Sequence, residues 1–276
     1  MKISVIITTY NRPDALKRVL DGLLFQTRLP DEIMIADDGS GHSTKIMLEP
    51  YLNHSRIHIM QVWQEDKGFR AARIRNMAIA ESSGDYLVLL DGDCIPEKHF
   101  IQDHLDLAQK GCFFQGKRVI VSRSVERKFT HKTCNSKSIL MIQALKRQIS
   151  NCHHIFRIPF FPSYTTGRLS GVRSCNMGLF REDLEVVNGF NHDFEGWGRE
   201  DSELVVRLFK YGLKRKENPF KAICFHLWHH ENIRNCLALN DGILKQAITS
   251  ESFFCRSGLN EFDETKTKQI NTQTGD

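Results

Sequence analysis

No apolar run in this 276-residue chain approaches the length that a bilayer-spanning helix needs, about 20 residues. The N-terminus also lacks a signal-peptide plan, since Met1 to Tyr10 lead straight into a strand pattern with no cleavage site. Both absences predict a cytoplasmic location. No Cys-x-x-Cys pair or zinc-knuckle spacing occurs among the eight cysteines, which lie singly between Cys94 and Cys255. That disfavours a zinc module and a disulfide framework and predicts reduced, structural thiols. Neither Gly-x-Gly-x-x-Gly nor Gly-Lys-Ser/Thr follows the first strand-like run, which disfavours a dinucleotide site and a phosphate loop. Helix-turn-helix, zinc-finger and RNA-binding signatures are missing too, so nucleic acid is not an expected partner.

Acidic residues are nearly absent from one segment. Between Lys117 and Arg173 there are twelve Lys or Arg and a single acid, Glu126. The net charge of +5 therefore hides a basic block set in an otherwise acidic chain. The block also carries the apolar patches "SILMIQAL" (138–145) and "HIFRIPFFP" (154–162). Basic plus apolar character suits an anionic membrane surface or an acidic acceptor, whereas a solvated basic face over ordinary core residues is the plainer alternative.

What is present is a regular alternation. Apolar β-rich runs at 3–9, 32–38, 56–63 and 85–91 alternate with helical patterns at 13–26, 43–52 and 69–82. Pro13 suits the first turn of a helix, and the alanine-rich helix ends at Ser83-Gly84. Such β–α units predict an α/β fold with a mainly parallel central sheet and helices on both faces. A further strand is expected over Cys112–Ser122, then a helix near 136–149 and a loop. After Ser170 the pattern sharpens: Leu204, Val205, Leu208 and Phe209 line one helix face, and a strand runs from Lys221 into His226, His229 and His230. One domain over 1–257 is expected, divided into halves at 1–112 and 170–257 by the basic segment 113–169. A polar, disordered tail is expected over 258–276.

In a sheet of this kind ligands bind at the carboxyl ends of the strands. The expected strand ends lead into Thr8-Thr9-Tyr10-Asn11-Arg12, Asp37-Asp38-Gly39-Ser40, Gln64 to Gly68, and Asp91-Gly92-Asp93. Acids after strands can be helix caps, but four polar clusters on one rim describe a pocket. Carboxylates in place of a glycine cradle suggest that hydroxyls and an imide are read directly while a metal handles phosphates. Asp93 with an imidazole from His226 or His229 would favour manganese over magnesium, although magnesium remains possible. One carboxylate of Glu200-Asp201, at the start of a helix, could accept a proton from an attacking hydroxyl, and the helix N-terminus would keep it ionised. Trp197, between Gly196 and Gly198, could offer a flat face to a sugar.

The motifs "TTYNRP", "ADDGS", "GFRAARIRNMA" and "LLDGDC" together resemble the nucleotide-binding half of inverting family 2 glycosyltransferases of the GT-A fold. "GFNHDFEGWGREDSEL" with "FHLWHHEN" resembles the C-terminal part of β-1,4-galactosyltransferases and of bacterial chondroitin-polymerase-type transferases. The resemblance covers roughly residues 1–112 and 170–232. It implies that Asp37 or Asp38 holds the uracil imide or ribose, with Asp91 on the ribose side and Thr9, Tyr10 and Arg12 on the nucleotide rim. It implies that Arg75 and, more weakly, Arg70 place the base or diphosphate, and that Asp93 ligates the metal. Asp201 becomes the catalytic base, and Glu200, with Trp197, an acceptor ligand. His226 stands where the animal galactosyltransferases carry methionine, which leaves open which histidine of His226-x-x-His229 binds the metal. The expected partners are a UDP-sugar and a glycan or lipid-linked glycan. The expected reaction is transfer of a hexose or N-acetylhexosamine in bacterial surface polysaccharide or lipopolysaccharide synthesis, peripheral to the inner face of the membrane. A non-catalytic sugar-binding module of the same fold and a nucleotidyltransferase are the alternatives.

Overall fold

Successive side chains on a strand point to opposite faces of the sheet, and here the first strands are apolar on both. Ile3, Val5, Ile7, Ile33, Ile35 and Val88 pack into one core, while Ile6, Met34, Ala36, Leu87 and Leu89 pack into the other. A sheet buried on both sides needs helices on both sides. The computed structural model, which describes residues 1–230 and 234–262, has that arrangement.

Strand β1 (Ile3–Thr9), helix α1 (Pro13–Leu24), β2 (Glu32–Asp37), α2 (His42–Leu52), β3 (His58–Trp63), α3 (Ala71–Glu81) and β4 (Tyr86–Asp91) follow the expected alternation. Next come β5 (Cys94–Pro96), α4 (Phe100–Leu107), β6 (Cys112–Gln115), β7 (Lys117–Val121), the short α5 (His131–Cys134), α6 (Lys137–Leu145), β8 (Ile149–Ser150) and β9 (Tyr164–Thr166). The chain continues through β10 (Asn176–Phe180), α7 (Arg181–Val186), α8 (Glu200–Tyr211), β11 (Lys214–Glu217), β12 (Ile223–His226) and α9 (Leu237–Thr249). The large sheet has the order β3-β2-β1-β4-β10-β6-β11-β9. Its first four strands are parallel, as is the pair β6–β11, while β10 and β9 run antiparallel to their neighbours.

A second sheet, β5-β12-β7-β8, accounts for a departure from the sequence reading. The single strand expected over Cys112–Ser122 breaks at Gly116 into β6 and β7, which belong to different sheets. The Asn176 side chain fills the break. Its amide nitrogen donates to the Lys117 and Ala222 carbonyls at 3.1 and 2.8 Å, and a Cβ on residue 116 would overlap it. In the small sheet β12 lies antiparallel to β5 with His226 opposite Cys94, so the histidine arrives beside Asp93.

Two further departures lie near the C-terminus. Helix α9 was not expected; it packs on α8, and buried Asn240 donates to the Glu195 and Gly198 carbonyls, both at 3.0 Å. Leu259–Phe262, placed in the polar tail by the sequence, form a 3-10 turn with Leu259 buried in the second core. The rest of that tail, 263–276, lies outside the described residues. Among the described residues no helix is long and apolar enough to cross a membrane.

Candidate active site

The strand ends open onto one cleft of about 1160 Å³. The β1–β4 register sets Thr8 opposite Asp91, and the Gly92 N–H donates to the Thr8 carbonyl at 2.8 Å. This pins the Asp91-Gly92-Asp93 turn to the end of β1. A Cβ on Gly92 would press on Thr8 and Thr9 at 3.0 Å, tighter than most Cβ contacts.

Asp93 gathers three partners. His226 Nε2 lies 3.6 Å from Oδ1 and His229 Nε2 lies 3.5 Å from Oδ2, and the three potential ligand atoms all fall within 4.8 Å of one another. Both histidines therefore reach the same carboxylate. Burial lowers the His226 pKa to about 4, against the pull of Asp93, so its imidazole is neutral and its lone pair is free for a cation. The third partner is Arg12, which donates to Asp93 Oδ2 at 2.6 Å and to the Trp228 carbonyl at 3.1 Å. One carboxylate and two imidazoles fit a divalent transition metal better than magnesium, which prefers an all-oxygen shell.

A second cluster forms around Arg75 on α3, which is 5% exposed. Its Nε donates to Thr8 Oγ1 at 2.9 Å, and its terminal nitrogens lie 3.5 Å from Asp91, 3.5 Å from Glu200 and 3.6 Å from Asp201. The Phe190 ring lies 5.2 Å from its guanidinium carbon. The sequence reading gave Arg75 to the base or diphosphate; its donors instead face protein carboxylates. Burial would favour loss of its proton, but Asp201, Asp91 and Glu200 outweigh it and raise its pKa.

Glu200 and Asp201 occupy the first turn of α8, after Arg199, whose left-handed backbone (φ 82°) turns the chain sharply from the Gly196-Trp197-Gly198 loop. Asp201 Oδ2 accepts the Ser174 N–H at 2.9 Å, while its buried Oδ1 has no hydrogen-bond partner beyond the ion pair with Arg75. Glu200 departs from the charged form that a helix N-terminus favours: burial first, and Asp201 second, raise its pKa to about 7 against the pull of Arg75. Asp91 behaves similarly. Burial at the cleft floor, with added repulsion from Asp93 and Asp201, lifts it to about 6 despite Arg75, although its side chain keeps 34% of its exposure.

The remaining expected residues divide. Thr9, Tyr10, Arg12 and Asp38 line the cleft, as does Trp197, against whose ring the Arg234 guanidinium lies at 4.9 Å. Tyr10 donates to Asp66 at 2.8 Å. Asp38 accepts the Arg70 N–H at 2.8 Å and a Gln64 amide proton, and burial raises its pKa. Asp37 and Arg70 are not among the residues that line the cleft. Asp37 is fully buried, with its oxygens on the Ser40 N–H at 2.8 Å and the Gln61 amide at 2.7 Å. Strand alternation turns it away from the cleft wall that Asp38 joins. Arg70 turns its guanidinium to the Glu65 carbonyl. Three contributors were missed: Ser174, Arg118 and the α9 residue Leu237, all on the cleft wall. Arg118 could have been noticed as a cation within a strand pattern, but nothing local marks the other two. The cysteines Cys94, Cys175 and Cys224, isolated in sequence, also gather beneath the acidic turn, all of them buried.

The fold and this cleft define the GT-A class of sugar transferases, and solved structures agree. Staphylococcus aureus TarS 1–349 in complex with UDP aligns with a TM-score of 0.61 at 16% identity, covering 98% of this chain and 71% of that one. GalNAc-T7 with UDP, GalNAc and Mn2+ aligns at 0.63 and 14% identity, covering 84% of this chain and 44% of that one. Residues 4–165 match the family model for glycosyl transferase family 2, and the chain belongs to that family. Residues 145–230 match a model described as the N-terminal domain of galactosyltransferase. Among curated relatives, validoxylamine A glucosyltransferase of Streptomyces hygroscopicus subsp. limoneus is 29% identical over 229 residues, 76% of this chain and 48% of that protein. Chondroitin synthase of Pasteurella multocida (strain Pm70) is 28% identical over 231 residues, 76% of this chain and 23% of that protein. The matched region thus spans half or less of the length of these two relatives.

Proposed function

We propose that this chain is a metal-dependent, inverting glycosyltransferase that moves a hexose or N-acetylhexosamine from a UDP-sugar to a glycan hydroxyl, in the synthesis of a bacterial surface polysaccharide or lipopolysaccharide. One observation carries the reading: the donor set Asp93–His226–His229 and the acid pair Glu200–Asp201 line the same cleft. Family membership supports glycosyl transfer, and the neighbours solved with UDP support a uridine donor. In this reading residues 1–112 carry the donor half and 170–257 the acceptor half.

Asp38 stands at the nucleotide end of the cleft and Asp91 on the ribose side. Asp93, His226 and His229 would hold the cation, manganese by the donor argument above; when bound it supplies positive charge against which a diphosphate can leave. Arg12, paired with Asp93 at 2.6 Å, would add a second positive charge beside that site. Asp201, a cleft residue whose side chain keeps 21% of its exposure, accepts the proton of the acceptor hydroxyl as the sugar carbon–oxygen bond forms. Arg75 holds that carboxylate and Glu200 in place. Glu200 orients the same hydroxyl, and Trp197 offers its ring to the acceptor sugar. Attack from the face opposite the diphosphate inverts the anomeric centre, through a transition state with oxocarbenium character.

The test is Asp201→Asn. Its affinity for UDP with Mn2+, measured by calorimetry, should stay close to wild type. Acceptor-dependent UDP release should fall by about 100-fold to 10,000-fold, the usual worth of a general base. Full turnover by that variant would remove Asp201 from its role.

A further inference from the structure

Helix α6 carries an apolar stripe on its outward side. Ser138, Met141, Ile142 and Leu145 follow the i, i+3, i+4, i+7 spacing that places residues on one helix face. Met141 is 50% exposed, Ile142 52% and Leu145 84%, with Ile139 at 43% beside them. Within the helix only Leu140 is buried, while Ala144 packs against the core. Apolar side chains therefore face outward as well as inward on this helix.

Cations stand where the stripe ends. Lys146 and Arg147 follow directly, both exposed, and neither makes an ion pair among the described residues. Helix α5, packed on α6, adds the exposed Lys132. The one acid of the basic segment, Glu126, is already held by Arg18 at 2.6 Å. Arg147 follows the helix in the left-handed conformation (φ 53°), in a C-terminal cap closed by the Arg147 N–H on the Ala144 carbonyl at 3.0 Å and the Gln148 N–H on the Gln143 carbonyl at 2.8 Å.

We propose that α6 and the cations around its C-terminus dock on an anionic lipid bilayer. Ile139, Met141, Ile142 and Leu145 enter the boundary between headgroups and acyl chains, and Lys132, Lys146 and Arg147 meet the lipid phosphates. A second copy of the chain is a poorer occupant. The area argues against it, since four side chains fall well short of the roughly 800 Å² per partner of a stable dimer. Beyond α6, β8 pairs with β7, and β7 pairs with β12, which carries His226. Docking would therefore hold the sheet that contributes to the cleft against the membrane.

Cosedimentation of the whole chain with phosphatidylcholine vesicles, with and without phosphatidylglycerol, tests this. Binding should require phosphatidylglycerol and weaken as salt is raised. It should drop about tenfold or more in both Ile142→Glu/Leu145→Glu and Lys146→Ser/Arg147→Ser. Thermal melts of these variants should match wild type, since the altered side chains are exposed, and they separate a lost surface from a lost fold. Equal binding by wild type and variants, salt-insensitive binding, or none to anionic vesicles overturns the proposal. A concentration-dependent dimer in vesicle-free solution, broken by Ile142→Glu/Leu145→Glu, would give the face to a second copy and overturn it as well.

Discussion

Glu200 shows how one buried side chain can oppose its local sequence context. A carboxylate in the first turn of a helix is normally favoured in its charged form, yet burial raises the Glu200 pKa to about 7. Its ordinary value, 4.5, describes the unfolded chain. Below pH 4.5 the group is protonated in both states, and it favours folding relative to higher pH. Between 4.5 and about 7 the unfolded chain gives up the proton while the folded chain keeps it, so that advantage is lost as pH rises, and above 7 the loss is complete. A neutral isostere avoids the loss. Glu200→Gln should therefore match wild-type stability near pH 4 and exceed it by about 1–3 kcal/mol above pH 7. Denaturant titrations at several pH values would show the difference growing through that window. A constant difference, or one that shrinks with rising pH, would contradict the burial argument.

At the scale of elements, legibility in the sequence followed the range of the interactions involved. The strands of the parallel half were readable because each is a local apolar run ended by polar residues. The same locality singled out Asp91, Asp93, His226 and Asp201, which line one cleft, since strand ends and a helix start are local features. Asp37 against Asp38 was not decidable, because which acid faces the cleft depends on the twist and register of neighbouring strands. The break at Gly116, the antiparallel insertion of β10 and the placement of α9 were invisible for a related reason. Each depends on partners distant in sequence, such as Asn176 threading between β6 and β7. That side chain has no room to yield. His104 donates to its oxygen at 3.0 Å, and its nitrogen is held by two carbonyls. Gly116→Ala should consequently destabilise the fold by about 1–3 kcal/mol, the range for an overfilled core. A thermal melt unchanged from wild type would show that the Asn176 network can shift after all.

Across the whole molecule, the two regions of the chain that build the cleft meet at Arg75. Asp91 ends a strand of the parallel half, and Glu200 and Asp201 begin a helix more than a hundred residues later, yet one guanidinium on α3 lies within 3.6 Å of all three. Carboxylates this close repel one another, and burial strengthens the repulsion, so the cleft floor holds together only with a cation beneath it. Removing one partner from a buried ion cluster leaves the others uncompensated, at a cost of about 3–5 kcal/mol. Arg75→Met should lower the melting temperature by about 2–4 °C for each of those kcal/mol. It should also abolish acceptor-dependent UDP release, because Asp201 would lose the partner that holds it. Arg75→Lys keeps the charge but not the planar fork that reaches three carboxylates at once, so it should recover part of the stability and little of the turnover. If Arg75→Met instead melted with the wild type while turnover alone was lost, the arginine would act on the substrate and not on the framework.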